Sequence, residues 1–103
     1  MLPRPDPGVK RIRVSSGVAE KQLRHDVNPA YPREARKNHI TGDVLLRVII
    51  DRQGNVANVV VIKGDPILID SAINAVKKWK YRPYILDGEP IEMDAPILIK
   101  YQM

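Results

Sequence analysis

The 103-residue chain contains no cysteine and no phenylalanine, and only 5% of its residues are aromatic, with a single tryptophan. The absence of cysteine excludes a disulfide scaffold, a thiolate metal site and a cysteine nucleophile. No run of about 18 consecutive apolar residues is present, so the sequence predicts no membrane span, and its first residues lack the pattern of a signal peptide. With 44% apolar residues in this length, the chain predicts one compact domain.

The formal net charge of +5 is unevenly distributed. Residues 1–41 contain nine Lys and Arg against four acidic residues, whereas residues 42–103 contain eight of each. A basic arm of this kind suits phosphate, an anionic lipid surface or an acidic protein, but the simpler interpretation is a solvated tail beside the fold. The main body of the chain is neutral.

The N-terminal residues have the composition of a linker. Pro3, Pro5 and Pro7 alternate with other residues, which disfavours both helix and sheet hydrogen bonding and favours an extended chain. The alternation from Lys10 to Ser15 allows one short edge strand. We therefore interpret residues 1–17 as a Pro-rich, basic linker remnant and residues 18–103 as the domain.

The remaining sequence predicts an α+β fold. Turn residues and apolar periodicity indicate a short helix over 32–38, strands over 43–51 and 56–63, a longer helix over 66–79, a hairpin of 84–86 with 91–93, and a last strand over 97–102. The segment 18–27 fits neither the helical nor the strand period and is left unassigned. This order predicts a two-layer β-β-α-β domain, in which a small antiparallel sheet of three main strands packs against one long and one short helix.

The sequence offers no catalytic constellation. His25 and His39 lie in separate polar contexts, and His39 is more simply explained as a residue at a helix end. Asp51, near Gly54, and Asp87, before Gly88, each lie in a turn, where Asp is expected to bind backbone amides. We therefore predict that the domain is not an enzyme and uses no metal or other cofactor.

Nucleic-acid binding is an alternative suggested by the segment from Lys77 to Arg82, which combines four basic residues with two aromatic ones. Trp79 continues the apolar stripe of the predicted helix, however, and burial against the sheet would remove it as a stacking platform. Nucleic acid is therefore an unlikely partner, although residues 10–37 could bind an anionic surface nonspecifically.

Four short motifs occur in a fixed order between residues 26 and 102. They are Asn28-Pro29-Ala30-Tyr31-Pro32, Gly42-Asp43-Val44, Asp51-Arg52-Gln53-Gly54-Asn55-Val56 and Trp79-Lys80-Tyr81-Arg82-Pro83. Together they resemble the C-terminal domain of the TonB energy-transducer family. The resemblance implies a TonB/TolA C-terminal-like fold, and each motif has an independent structural reason, such as a hairpin turn at Gly54.

The resemblance also implies a function. Such a domain is periplasmic and belongs to a protein anchored in the inner membrane, where a proton-channel complex acts through an N-terminal helix that is missing from this sequence. The domain engages the N-terminal box peptide of outer-membrane receptors and transmits force to it without catalysis. A basic domain that binds nucleic acid or an anionic surface, and a structural domain of a fused protein, remain the alternatives.

The predicted binding site is the last strand. Because it is the final strand of this sequence, its outer side is left open in the predicted sheet. Pro96 is acceptable only if its missing N–H falls at an edge or at the start of the strand. An extended receptor peptide could pair there by strand addition. The alternative occupants are the segment around Ile12 and Val14, or a second copy that forms a homodimer. The predicted protein-binding residues are Asn28, Pro29, Tyr31, Ile97, Leu98, Ile99, Lys100, Tyr101 and Gln102.

Overall fold

A computed structural model of the chain describes residues 10–103. The Pro-rich segment up to Pro7 lies outside these residues. The helices are α1 (Ser16–Gln22), α2 (Arg33–Lys37) and α3 (Pro66–Val76). The strands are β1 (Arg11–Arg13), β2 (Leu23–His25), β3 (Gly42–Ile50), β4 (Val56–Lys63), β5 (Lys80–Tyr81), β6 (Tyr84–Leu86) and β7 (Glu89–Tyr101).

The main sheet is built around β3 and β7. Its strand order is β1-β7-β3-β4, with β6 paired to the beginning of β7. The β3–β4, β3–β7 and β6–β7 pairs are antiparallel, whereas β1 runs parallel to β7. The predicted α+β fold with three main strands is therefore confirmed, and two short strands extend the sheet.

One face of the sheet carries the hydrophobic core. Alternate residues of β3 and β7 point to the same side, and Val44 and Leu46 lie opposite Ile99 and Ile97 in register. Ala19 of α1, Ala35 of α2, and Leu68, Ala72 and Val76 of α3 pack into the same buried cluster. All three helices therefore cover this face, and the other face of the sheet carries Leu45, Arg47, Leu98 and Lys100.

The strand β7 differs from the prediction because it is a single element of 13 residues. The predicted strands over 91–93 and 97–102 are joined through Asp94, Ala95 and Pro96. The register against β3 continues without a shift from Met93 to Tyr101. Pro96 does not interrupt this ladder, for the geometric reason given with the site below.

The helix α3 begins as predicted and ends earlier. Asp65 is its N-cap and accepts a hydrogen bond from the Ile67 amide at 3.0 Å, and Pro66 occupies the first helical position. The predicted helix extended to residue 79, whereas α3 ends at Val76. Lys78 and Trp79 instead form hydrogen bonds to carbonyls three residues earlier, which tightens the chain before it enters β5. Trp79 therefore lies beyond the helix.

The short helix α2 is confirmed, and it ends at Lys37 with Asn38 as its C-cap, close to the predicted end at residue 38. The chain leaves the helix through His39, which adopts the left-handed conformation with φ 55°. The His39 amide donates to the Arg36 carbonyl and the Ile40 amide donates to the Ala35 carbonyl. This pair of hydrogen bonds is the Schellman arrangement, which satisfies the last carbonyls of the helix.

The segment left unassigned by sequence forms α1 and β2. Ser15 caps α1 through a 3.2 Å hydrogen bond from the Val18 amide to its hydroxyl, and only Ala19 of this helix is buried. The strand β2 pairs with β5 in a separate two-stranded ribbon. With one buried position in two turns, α1 has no apolar stripe that a periodicity could reveal.

Candidate partner-binding site

The outer edge of β7 is occupied along only part of its length. The Glu92 amide donates to the Lys10 carbonyl, and the Val14 amide donates to the Asp94 carbonyl, each at 3.0 Å. These bonds show that the backbone groups of residues 92 and 94 point away from β3. Within residues 10–103, no strand continues this pairing beyond Asp94.

The same alternation fixes the direction of the following backbone groups. In an antiparallel ladder, the N–H and C=O groups of every second residue face the same neighbouring strand. Because the register is continuous, residues 96, 98 and 100 share the outward direction of residues 92 and 94. Pro96 therefore lacks only an outward-facing N–H, which explains why it does not break the pairing with β3. Leu98 and Lys100 present outward N–H and C=O groups.

The predicted site residues on β7 divide between two faces. Ile97, Ile99 and Tyr101 are buried in the core, while Leu98 is 48% exposed and Lys100 is also exposed. Gln102 follows the end of the strand and is exposed as well. The buried set holds the strand in place, so its contribution to a partner would be made through the backbone.

Of the predicted site residues before α2, Tyr31 contacts β7 through an aromatic pair. The rings of Tyr31 and Tyr101 lie 5.5 Å apart at 85°, an edge-to-face arrangement. The Tyr31 hydroxyl donates to the Ile40 carbonyl, and burial raises the pKa of Tyr101. Pro29 is half-buried and Asn28 is exposed. The structure thus joins Tyr31 to the end of β7 and leaves Asn28 at the surface.

The helix α1 lies beside the same edge of the sheet, where sequence reasoning placed no element. A cavity of about 330 Å³ separates it from Pro96, Ile97 and Leu98 of β7. Ala19 and Glu20 line the opposite wall. Because α1 contains neither an apolar stripe nor a recognisable motif, its position beside the cavity could not be predicted from the sequence.

The basic cluster over 77–82 does not present its aromatic side chains for stacking. Tyr81 is only 4% exposed. Trp79 packs half-buried against the core, and its Nε1–H donates to the Val27 carbonyl at 2.9 Å. The side chains at the surface here are the cations, including Lys77 and Lys78. Base stacking has no platform in this cluster, which weakens the nucleic-acid interpretation.

Two ion pairs cross the face of the sheet opposite the core, and the sequence did not reveal them. Arg47 forms a bidentate pair with the buried Asp94, with hydrogen bonds of 2.7 and 2.6 Å. Arg11 binds the buried Glu92 at 3.1 Å and so ties β1 to β7. The hydrogen bond from Arg47 holds the pKa of Asp94 below its ordinary value.

Acid should therefore destabilise the domain partly through Asp94. A carboxylate with a lowered folded-state pKa stabilises the fold above its unfolded pKa of about 3.9 and loses that contribution as the pH falls. We expect the melting temperature of the natural chain to drop more steeply from about pH 5 to pH 2.5 than that of Asp94→Asn. Circular dichroism melts test this, with Asp70→Asn, an exposed carboxylate, as the control; equal slopes for the natural chain and Asp94→Asn would contradict it.

Within residues 10–103, no group of three or more acidic or histidine side chains is arranged to hold a metal. None of the helices in this part of the chain has the length and apolarity needed to cross a bilayer.

Comparison with known proteins decides the family. A family model described as the Gram-negative bacterial TonB protein C-terminal region matches residues 27–103, which include the Tyr31 motif and all of β7. The chain belongs to the TonB C-terminal family. The resemblance predicted from the four motifs is confirmed, and the match begins within two residues of the motif at Asn28.

Curated relatives extend the TonB assignment. The chain is 39% identical over 79 residues to Protein TonB of Vibrio cholerae, an alignment that covers 75% of this chain and 32% of that protein. It is 36% identical over 63 residues to Protein TonB of Xanthomonas campestris, covering 59% of this chain and 28% of the relative. The chain thus spans about a third of the length of the TonB proteins that it matches.

Solved TonB structures share the fold. The TonB C-terminal domain of Pseudomonas aeruginosa, determined by NMR, superposes with a TM-score of 0.68 at 21% identity, covering 80% of this chain and 85% of that one. The TonB2 protein of Vibrio anguillarum superposes with a TM-score of 0.59 at 33% identity, covering 77% of each chain. The α+β architecture described above is therefore that of a TonB C-terminal domain.

Proposed function

We propose that this domain binds the N-terminal box peptide of an outer-membrane transport receptor by adding it as a strand to the outer edge of β7. The observation that carries the proposal comes from a member of the TonB C-terminal family: the backbone groups of Leu98 and Lys100 face outward and pair with no strand within residues 10–103. Backbone hydrogen bonds would supply affinity with little demand on sequence. The exposed side chains of Leu98, Lys100 and Gln102 would bias the choice of peptide, and so would Asn28, which is exposed in the motif that contains Tyr31.

The position of β1 supports a force-transmitting role for the same strand. The chain before β1, called the N-terminal arm below, leads directly into that strand. β1 pairs with residues 92–94 of β7 and is held by the Arg11–Glu92 ion pair. A peptide bound to residues 98–101 would lie farther along that same strand. Tension applied to the arm would then reach the peptide through β7 and its ladder with β3, without a chemical step.

The wider setting is also a proposal. In the full-length protein, the arm would continue into a Pro-rich spacer and an inner-membrane helix that contacts a proton-driven complex. The domain would then be periplasmic. A full-length sequence with an apolar segment of about 20 residues before a Pro-rich spacer would support this arrangement.

Leu98→Pro should abolish peptide binding without unfolding the domain. Because the Leu98 N–H points away from β3, proline removes an edge donor while the ladder to β3 stays intact, as Pro96 already demonstrates. We expect at least a tenfold loss of affinity for a receptor box peptide, measured by amide chemical-shift titration. In the natural chain, the shifts should centre on residues 97–102.

Leu98→Thr is the matched control, because it shortens the side chain and retains the amide donor. Equal loss of affinity in both variants would assign binding to the Leu98 side chain and contradict strand addition. Shifts confined to residues 77–82 would contradict it as well. A homodimer at this edge would appear as changes in the 98–101 amides with protein concentration alone, and the peptide would then have to compete with it.

A further inference from the structure

The cavity beside the outer edge of β7 is lined by apolar and polar side chains in similar measure. Ala19 and Leu23 line it from the N-terminal segment, and Trp79, Tyr81 and Ile97 line it from the core side. Its volume of about 330 Å³ is ample for one long side chain. The cavity is bounded by Pro96 and Leu98, so it lies directly beside the backbone positions assigned above to peptide binding.

Two carboxylates also line this cavity. Glu20 and Asp26 are exposed, and within residues 10–103 neither forms a salt bridge. The Asp26 carboxylate is close enough to Tyr81 to add to the effect of burial, which raises the pKa of that phenol. A cavity that combines apolar side chains with two carboxylates is complementary to a cation on an aliphatic stem.

We propose that this cavity receives a lysine or arginine side chain of the peptide that adds to β7. The proposal rests on the function proposed above, because the added strand brings the side chain to the cavity. Alternate side chains of a strand beside Leu98 would face the helix-bearing side of the sheet, where the cavity lies. The aliphatic stem would pack against Leu23 and Trp79, and the cationic head would lie between Glu20 and Asp26. The receptor segment is therefore selected for a basic residue.

Three peptides test this selectivity on the 103-residue chain. Each is an acetylated and amidated seven-residue strand of alternating threonine and valine, with lysine, glutamine or glutamate at its centre. Trp79 is the only tryptophan and lines the cavity, so its fluorescence reports entry of the central side chain. We expect the lysine peptide to bind about tenfold more tightly than the glutamate peptide, with glutamine between them.

A double variant, Glu20→Gln with Asp26→Asn, should remove the preference. Glu34→Gln with Asp70→Asn is the matched control, since it removes the same charge from exposed positions that do not line the cavity. The control should keep the preference for lysine. Equal affinities for the three peptides in the natural chain, or the same preference in both double variants, would overturn the proposal.

Amide shifts recorded on the same samples separate the two proposals. Shifts at residues 98 and 100 without a lysine preference leave strand addition standing and reject the cation pocket. A lysine preference without those shifts rejects strand addition. It also rejects the pocket as proposed, because the added strand is what brings the side chain to the cavity. If none of the peptides binds, pentylammonium is titrated against Trp79 fluorescence with pentanol as the neutral control, and equal responses to the two reject the pocket.

Discussion

Replacing Gly54 with alanine is expected to destabilise the domain by about 4 kcal/mol or more. Gly54 has φ 85° in the turn between β3 and β4, and a Cβ at this position would lie 1.9 Å from the backbone oxygen of Tyr81. The glycine carbonyl also accepts the Tyr81 amide at 2.8 Å. Relieving the clash would require the turn to move away from β5, because the contacted atom belongs to the backbone of Tyr81 and not to a flexible side chain. Such a loss is a large fraction of the stability of a small domain.

Gly88→Ala is the matched control for this prediction. Gly88 has nearly the same dihedral, φ 81°, in the Asp87-Gly88 turn of the β6–β7 hairpin, but no atom lies within 4 Å of the position that an alanine Cβ would occupy. Only the backbone strain is then introduced, at about 1–2 kcal/mol. Urea denaturation followed by circular dichroism measures both values. Similar losses for the two variants would show that the contact with Tyr81 is unimportant.

The turns of this fold were predictable because their chemistry is local. Asp51 accepts hydrogen bonds from the Gln53 and Asn55 amides at 2.9 Å, as its position beside a glycine turn indicated. The hairpin turn at Asp87 and Gly88 was also expected, although the loop is these two residues alone and not the predicted 87–90. Both residues have positive φ, the conformation that a two-residue hairpin loop requires. The start of α3 at Asp65 and Pro66 is local in the same sense. In each case, neighbouring residues supply both partners of the interaction.

The candidate site was only partly predictable because its neighbours are distant in sequence. The open edge of β7 was expected from the order of strands, and the direction of its backbone groups follows from a register that only the structure reveals. The wall formed by α1 depends on packing between residues 16–22 and 96–98. No local pattern encodes that contact. The same holds for Arg47 and Asp94, which are 47 positions apart.

Trp79 shows how a correct role can be predicted from an incorrect element. The sequence placed it on the apolar stripe of a helix, whereas it follows the helix and reaches the core from the chain leading into β5. Its position is fixed by the hydrogen bond of its Nε1–H to the carbonyl of Val27, in a segment that precedes α2. The indole thus ties the segment before α2 to the core.

Trp79→Ala is therefore expected to cost about 3 kcal/mol, near the lower end for tryptophan because the side chain is half-exposed. For a domain of this size, the loss lowers the melting temperature by on the order of 15 °C. Trp79→Phe retains much of the packing but leaves the Val27 carbonyl without its donor. Loss of that hydrogen bond should by itself lower the free energy of unfolding by about 1 kcal/mol. The alanine variant should consequently be the less stable of the two, as thermal melts monitored by far-UV circular dichroism can determine. An alanine variant that melts at the natural temperature and yet fails to bind a receptor peptide would assign Trp79 to recognition alone, and the basic residues beside it would then become part of the binding surface.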